Sequence, residues 1–151
     1  MTNRGRNPKK LILIVDDEDL VRRMLGLLLK MHGFRVLQAS TGNDALRICA
    51  RFRRPIDLMI TDIQMPELPG FDLARLTAAV RPEMAVLFIS GAFSEQDPEI
   101  RENLSPGRDF LAKPFTPKVL ASKVASLLAI PRDFAQAAPC QESLQKQFVP
   151  A

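Results

Sequence analysis

Leu11-Ile12-Leu13-Ile14-Val15-Asp16-Asp17-Glu18 is a run of five apolar residues that stops on a pair of carboxylates. Five residues are too few for a helix, and the absence of polar alternation fits a strand covered on both faces, as in a parallel sheet sandwiched by helices. The same punctuation recurs downstream. Leu58 to Thr61 is followed by Asp62, Val86 to Ile89 by Ser90-Gly91, and Phe110 to Ala112 by Lys113-Pro114. A fifth run, Val36 to Ala39, lies between the first two.

Helical periodicity fills the gaps. Val21, Met24, Leu25, Leu28 and Met31 recur at helical spacing before Gly33, a C-terminal stop. Ala45, Ile48, Cys49 and Phe52 mark a second helix ending before Pro55, and Phe71, Leu73, Leu76 and Val80 a third after the turn-rich Met65-Pro66-Glu67-Leu68-Pro69-Gly70. Thr116 caps a last helix with Pro117 in its first position and Leu120, Val124, Leu127 and Leu128 on its buried face. Residues 92–107 are less regular: either a fourth helix starts late, with Asp97 as cap and Pro98 in its first turn, or it is short and mobile. Strands alternating with helices imply right-handed crossovers and a doubly wound α/β fold, a five-stranded parallel sheet with helices on both faces.

Composition narrows the class. A chain of 151 residues, 46% apolar, supports one core. The divisions expected are a basic flexible arm over 1–8, one domain over 9–130, and a disordered polar tail over 131–151. No run reaches the ~18 apolar residues of a membrane span and no signal peptide is evident, so a cytoplasmic protein with no membrane partner is expected. Cys49 and Cys140 lack CxxC spacing and His32 is the only histidine, which leaves Cys49 as a small buried hydrophobe and His32 as a helix-end residue. Arg4, Arg6, Lys9 and Lys10 supply the whole net charge of +4. Residues 20–56 carry eight basic groups against Asp44 alone, and residues 57–109 ten acids against four bases. A basic first helix, with Arg22, Arg23 and Lys30 beside a wide apolar stripe that includes Leu27 and Leu29, suits an acidic partner.

In an open parallel sheet every strand releases its chain on the same edge, so Asp16, Asp17, Asp62, Ser90 and Lys113 are expected to converge there. Two carboxylates ~4 Å apart repel by about 4 kcal/mol at an effective dielectric near 20, so the three acids need a cation or must take up protons. Magnesium suits them, because it accepts a few carboxylate oxygens and completes its shell with water and phosphate. A carboxylate can carry a phosphoryl group, and phosphoryl transfer asks mainly for in-line positioning and charge neutralisation, which Mg²⁺ and the Lys113 ammonium supply.

These stations resemble the receiver domain of a two-component response regulator, the single-domain chemotaxis type in particular. The likeness rests on Ile14-Val15-Asp16-Asp17-Glu18, Asp62-Ile63-Gln64-Met65-Pro66 with Pro69-Gly70, Ser90-Gly91-Ala92, and Phe110-Leu111-Ala112-Lys113-Pro114-Phe115, and it covers residues 9–130. It implies a flavodoxin-like strand order 2-1-3-4-5. It also implies that Asp62 is the phosphoacceptor and that Asp16, Asp17, Asp62 and the backbone carbonyl of Gln64 hold Mg²⁺, Asp17 directly and Asp16 through water. Lys113 would contact the phosphoryl group, while Ser90 and Phe110 form the switch and Gln64 and Ala92 tune dephosphorylation.

The implied function is a signalling switch, phosphorylated by a sensor histidine kinase or a histidine phosphotransfer protein and acting through a downstream protein target. The face of helix four, strand five and helix five is the implied output surface and leaves room for a homodimer. The chain is then not an enzyme beyond its own phosphorylation and dephosphorylation; an aspartyl-phosphate phosphatase would want a second aspartate where Gln64 stands. A receiver-like interaction module that is never phosphorylated is the alternative. Residues 131–151 offer no helix-turn-helix, so sequence-specific nucleic-acid binding is not expected.

Overall fold

A computed structural model describes residues 9–130; the expected arm, tail and Cys140 lie outside the described residues. Five strands and five helices alternate: β1 (Leu11–Val15), α1 (Asp19–Met31), β2 (Arg35–Ala39), α2 (Gly42–Arg51), β3 (Leu58–Asp62), α3 (Gly70–Val80), β4 (Ala85–Ser90), α4 (Pro98–Asn103), β5 (Arg108–Ala112) and α5 (Pro117–Leu128). All strand pairs are parallel, in the order β2-β1-β3-β4-β5. Among the described residues, no helix is long and apolar enough to cross a membrane.

Strand periodicity builds two cores. Leu11, Leu13 and Val15 of β1 face one side, with Met59, Val86, Phe88 and Phe110, and are covered by Ala45 and Cys49 of α2, Leu73 and Ala74 of α3, and Ile100 of α4. Ile12 and Ile14 face the other, with Leu58, Ile60, Leu87, Ile89 and Leu111, under Leu25 and Leu29 of α1 and Leu120, Val124 and Leu127 of α5. Every residue of β1 and β3 is buried because both faces are covered, whereas Arg35 and Gln38 stay exposed on the edge strand β2. Cys49 is a buried free thiol, and burial pushes it up despite the nearby Arg81 guanidinium.

The helix ends follow their punctuation in part. Gly33 takes φ +89° after α1, and the Thr116 hydroxyl accepts the Val119 N–H at 3.2 Å, with Pro117 opening α5. His32 caps α1 and is exposed, with Nδ1 2.8 Å from the Leu28 carbonyl. Helix α4 begins at Pro98 with Asp97 in the cap position, as in the first expected alternative, and at 6 residues it is short, as in the second. The Asp97 carboxylate does not cap the helix; it accepts the Ser94 N–H at 2.6 Å, turning the preceding loop back on itself.

Helix α1 departs from the expected phase. Leu25 and Leu29 are its core residues, while Met24 and Met31, expected on the buried face, are 48% and 81% exposed. The cause is visible in Met24-Leu25-Gly26-Leu27-Leu28-Leu29: nearly every position is apolar, so periodicity alone does not choose a face. Leu20, Met24, Leu27 and Met31, spaced four, three and four apart, form an exposed apolar stripe.

Candidate functional site

The sheet's C-terminal edge collects the expected side chains. Asp16 follows β1 directly; its N–H donates to the Ala39 carbonyl at 3.2 Å and its Oδ1 accepts the Glu18 N–H at 2.8 Å. Asp62 is the last residue of β3, one residue further into the strand than Leu58 to Thr61 implied, and pairs in register with Ile89. Its Oδ1 accepts the Gln64 N–H at 3.1 Å, which brings exposed Gln64 to the site through its backbone. Ser90 closes β4 opposite Ala112, and the Lys113 N–H donates to the Ser90 carbonyl at 2.9 Å, carrying the lysine to the same edge. The Lys113–Pro114 peptide is cis.

Asp16, Asp17 and Asp62 each offer a carboxylate oxygen, and these atoms lie within 4.8 Å of one another. Asp16 and Asp62 are buried, whereas Asp17 faces solvent. The Lys113 ammonium bridges the two buried acids, 3.2 Å from Asp62 Oδ2 and 3.4 Å from Asp16 Oδ2. Burial holds the Asp16 carboxyl above the usual aspartate range; the Glu18 N–H and Lys113 oppose that shift, and Asp62 adds to it. Burial pulls the Lys113 ammonium down, but Asp16 and Asp62 outweigh it and leave the group raised, firmly a cation. One lysine against three acids leaves a surplus of negative charge partly out of water. Hard oxygen donors with that surplus fit a divalent cation of the magnesium kind.

Ser90 and Phe110 lie just beneath. Ser90 is buried, and its Oγ accepts the Ala92 N–H at 3.0 Å. Phe110 is fully buried and pairs in register with Phe88, whose ring meets Phe71 edge-on at 5.0 Å. Phe110 is thus already turned inward.

Two close approaches hold the acids in place. A Cβ on Gly70 would stand 2.3 Å from the Asp62 carbonyl oxygen and 2.9 Å from Ile63 Cα, so α3 starts where only glycine fits, against the end of β3. Arg22 makes the other. Expected on the solvent rim of α1 with Arg23 and Lys30, its side chain is only 12% exposed, against 72% for Arg23. Its Nη1 donates to the Asp16 carbonyl at 2.7 Å and its Nη2 pairs with Asp19. The spacing of six residues from Asp16 carried no motif that would have exposed this contact.

A cleft of about 740 Å³ lies among Arg81, Met84, Ser105, Arg108 and Leu127, and none of Asp16, Asp17, Asp62, Ser90 or Lys113 lines it.

Comparison with known proteins gives the same result. The family model for the response regulator receiver domain matches residues 12–125. The transcriptional regulatory protein AruR of Pseudomonas aeruginosa is 31% identical over 140 residues, 89% of this chain and 56% of that protein. The sensor kinase CckA of Brucella abortus is 33% identical over 119 residues, 78% of this chain and 12% of the kinase, so the chain spans about half or less of these relatives. Among solved structures, a response regulator receiver domain protein from Clostridium thermocellum superposes with a TM-score of 0.71 at 32% identity, covering 79% of this chain and 94% of that one. The chemotaxis protein CheY4 of Vibrio cholerae gives 0.70 at 25% identity, covering 80% and 99%. With the acid trio, the bridging lysine and the strand order in agreement, the chain belongs to the response regulator receiver domains of two-component signalling.

Proposed function

We propose that this receiver is a phosphorylation switch in which Asp62 accepts a phosphoryl group from the phosphohistidine of a sensor histidine kinase or a histidine phosphotransfer protein. The observation that carries it is the Lys113 ammonium 3.2 Å from Asp62 Oδ2, inside a cluster of three carboxylates at the mouth of the sheet. In the transfer an Asp62 carboxylate oxygen forms the new O–P bond as the histidine N–P bond breaks, and the imidazole leaves with the electron pair. Lys113 neutralises charge on the moving phosphoryl oxygens. Asp16, Asp17, Asp62 and the Gln64 carbonyl would hold Mg²⁺. When bound, the ion draws charge off the phosphoryl oxygens and orients them for in-line attack.

The response begins at Ser90. Its hydroxyl gives up the Ala92 N–H that it accepts and donates to a phosphoryl oxygen, with Phe110 already packed inward behind it. The change passes through loop 91–97 to the face of α4, β5 and α5, where a downstream protein or a second copy of the chain docks. Gln64 and Ala92 border the site and set the lifetime of the acyl phosphate, and the protein performs no chemistry beyond its own phosphorylation and dephosphorylation. The kinase docks on α1: the stripe of Leu20, Met24, Leu27 and Met31 is apolar and exposed, and Arg23 and Lys30 beside it suit an acidic helical partner.

Acetyl phosphate with Mg²⁺, followed by mass analysis, tests the chemistry. Label appears on Asp62 and vanishes in Asp62→Asn and in EDTA; label on Ser90 or His32 refutes the assignment. Transfer from the cognate kinase to Arg23→Glu/Lys30→Glu slows about tenfold while labelling by acetyl phosphate is unchanged. Equal slowing of both would refute docking on α1.

A further inference from the structure

Arg22 lies beside the acid cluster and holds its backbone. Its guanidinium reaches back over the first turn of α1, donates from Nη1 to the Asp16 carbonyl at 2.7 Å and pairs through Nη2 with Asp19. The carbonyl of Asp16 is part of the peptide unit that leads into Asp17. Holding that oxygen fixes the plane of the peptide and, through it, the direction in which Asp17 leaves the backbone. The Asp16 N–H on Ala39 fixes Asp16, and the Glu18 N–H on Asp16 Oδ1 holds the peptide on the far side of Asp17, whereas the Arg22 guanidinium holds the peptide on its near side. Asp17 is the exposed member of the trio, with the least packing around its carboxylate.

We infer that Arg22 is a positioning residue for the divalent cation: it clamps the Asp16–Asp17 peptide so that the Asp17 carboxylate is aimed at the ion before the ion arrives. The inference rests on the magnesium site proposed above. Partners that orient metal ligands commonly change affinity by tenfold or more when removed. Sign separates this role from a purely electrostatic one. A cation beside a cation site repels the ion, so removing it tightens binding if charge is all that Arg22 contributes. If Arg22 positions Asp17, removing it weakens binding although a positive charge has gone.

Isothermal calorimetry of Mg²⁺ binding to the full chain decides between them. Arg22→Gln raises the Kd for Mg²⁺ about tenfold. Arg22→Lys keeps the charge but cannot reach the Asp16 carbonyl and the Asp19 carboxylate with a two-pronged group, and it raises the Kd nearly as much. Cooperative thermal unfolding of each variant establishes that the fold is intact, and the Lys variant stands as the test if the Gln variant fails to fold. Binding by Arg22→Gln equal to or tighter than wild type overturns the inference and leaves the magnesium site standing; so does wild-type affinity in Arg22→Lys. A wild-type chain that binds no Mg²⁺ overturns both.

Discussion

The loops that follow β3 and β4 leave the same edge of one sheet and are built in opposite ways. In the loop after β3, residues 63–69, Ile63 and Met65 are buried, the Gly70 N–H returns to the Ile63 carbonyl at 2.8 Å, and Glu67 is held at φ +68° with its carboxylate near the Asn43 amide. A Cβ on Gly42 would meet Leu68 at 2.8 Å, so α2 presses on the loop from the other side. The loop after β4, residues 91–97, has no buried residue and is folded mainly on itself, through Ser94, Gln96 and Asp97. It leads into a helix of 6 residues, and its reach to the rest of the domain includes Glu95 near Lys123 at 3.9 Å and Phe93 near Phe71 at 6.3 Å. One wall of the site is packed and the other is weakly held. Chemistry that depends on geometry belongs on the first, and a response that has to move belongs on the second.

Gly70→Ala breaks the packed wall and carries the largest expected effect. The new methyl group meets backbone, which cannot step aside as a flexible side chain does. Overpacking of this kind costs about 3 kcal/mol. The variant is therefore expected to unfold at clearly lower denaturant, and labelling of Asp62 by acetyl phosphate is expected to fall at least tenfold in the molecules that remain folded. Wild-type labelling in Gly70→Ala would show that the close crossing of α3 over β3 does not set the site.

Asp16→Asn sharpens the comparison by removing charge and leaving shape. Burial raises the folded-state Asp16 carboxyl above its unfolded value of 3.8, so the folded chain holds that proton more tightly than the unfolded one. The sign is then fixed: stability falls as pH rises from 3.8 through the raised value, and above it the ionised carboxylate is a net cost. Without metal, Asp16→Asn should melt a few degrees higher than wild type at pH 7, with the gap closing as pH falls through the raised value toward 3.8. Mg²⁺ should reverse the order, because it stabilises the wild type and binds the variant poorly. Thermal melts in EDTA and in Mg²⁺ check both halves, and a metal-free variant less stable than wild type at pH 7 would contradict the burial argument.

Much of the acid site was legible in the sequence, because its residues are punctuation. Asp16-Asp17, Asp62, Ser90 and Lys113 each follow an apolar run, and parallel connectivity sends the ends of such runs to one edge. Asp97-Pro98 likewise marked the start of α4, by the preference of proline for a first turn. Two features were hidden for identifiable reasons. The face of α1 was ambiguous because residues 24–29 are apolar nearly throughout, and only the burial of Leu25 and Leu29 in the core beneath it selects it. Arg22 is indistinguishable from Arg23 in the sequence, since a side chain that reaches back to a backbone carbonyl leaves no trace in residue spacing.

Ser90→Ala probes the weakly held wall and carries the smallest expected effect. The hydroxyl is buried and accepts the Ala92 N–H at 3.0 Å, the first contact that ties loop 91–97 to the sheet. Its loss forfeits about 1 kcal/mol, so hydrogen exchange at Ala92 should quicken by roughly fivefold while the global melt hardly moves. Labelling of Asp62 should proceed near the wild-type rate, because Asp62 and Lys113 are held by β3 and β5 independently of this hydroxyl. What should shrink is the difference that phosphorylation makes to exchange over residues 90–115, since the group that draws the loop toward the phosphoryl oxygen is gone. Lys113→Ala is the counterpart: it should slow labelling or uncouple it from the response. If Ser90→Ala retains the full phosphorylation-dependent change, the motion starts elsewhere, and the contrast between a fixed wall for chemistry and a mobile wall for response fails at its first residue.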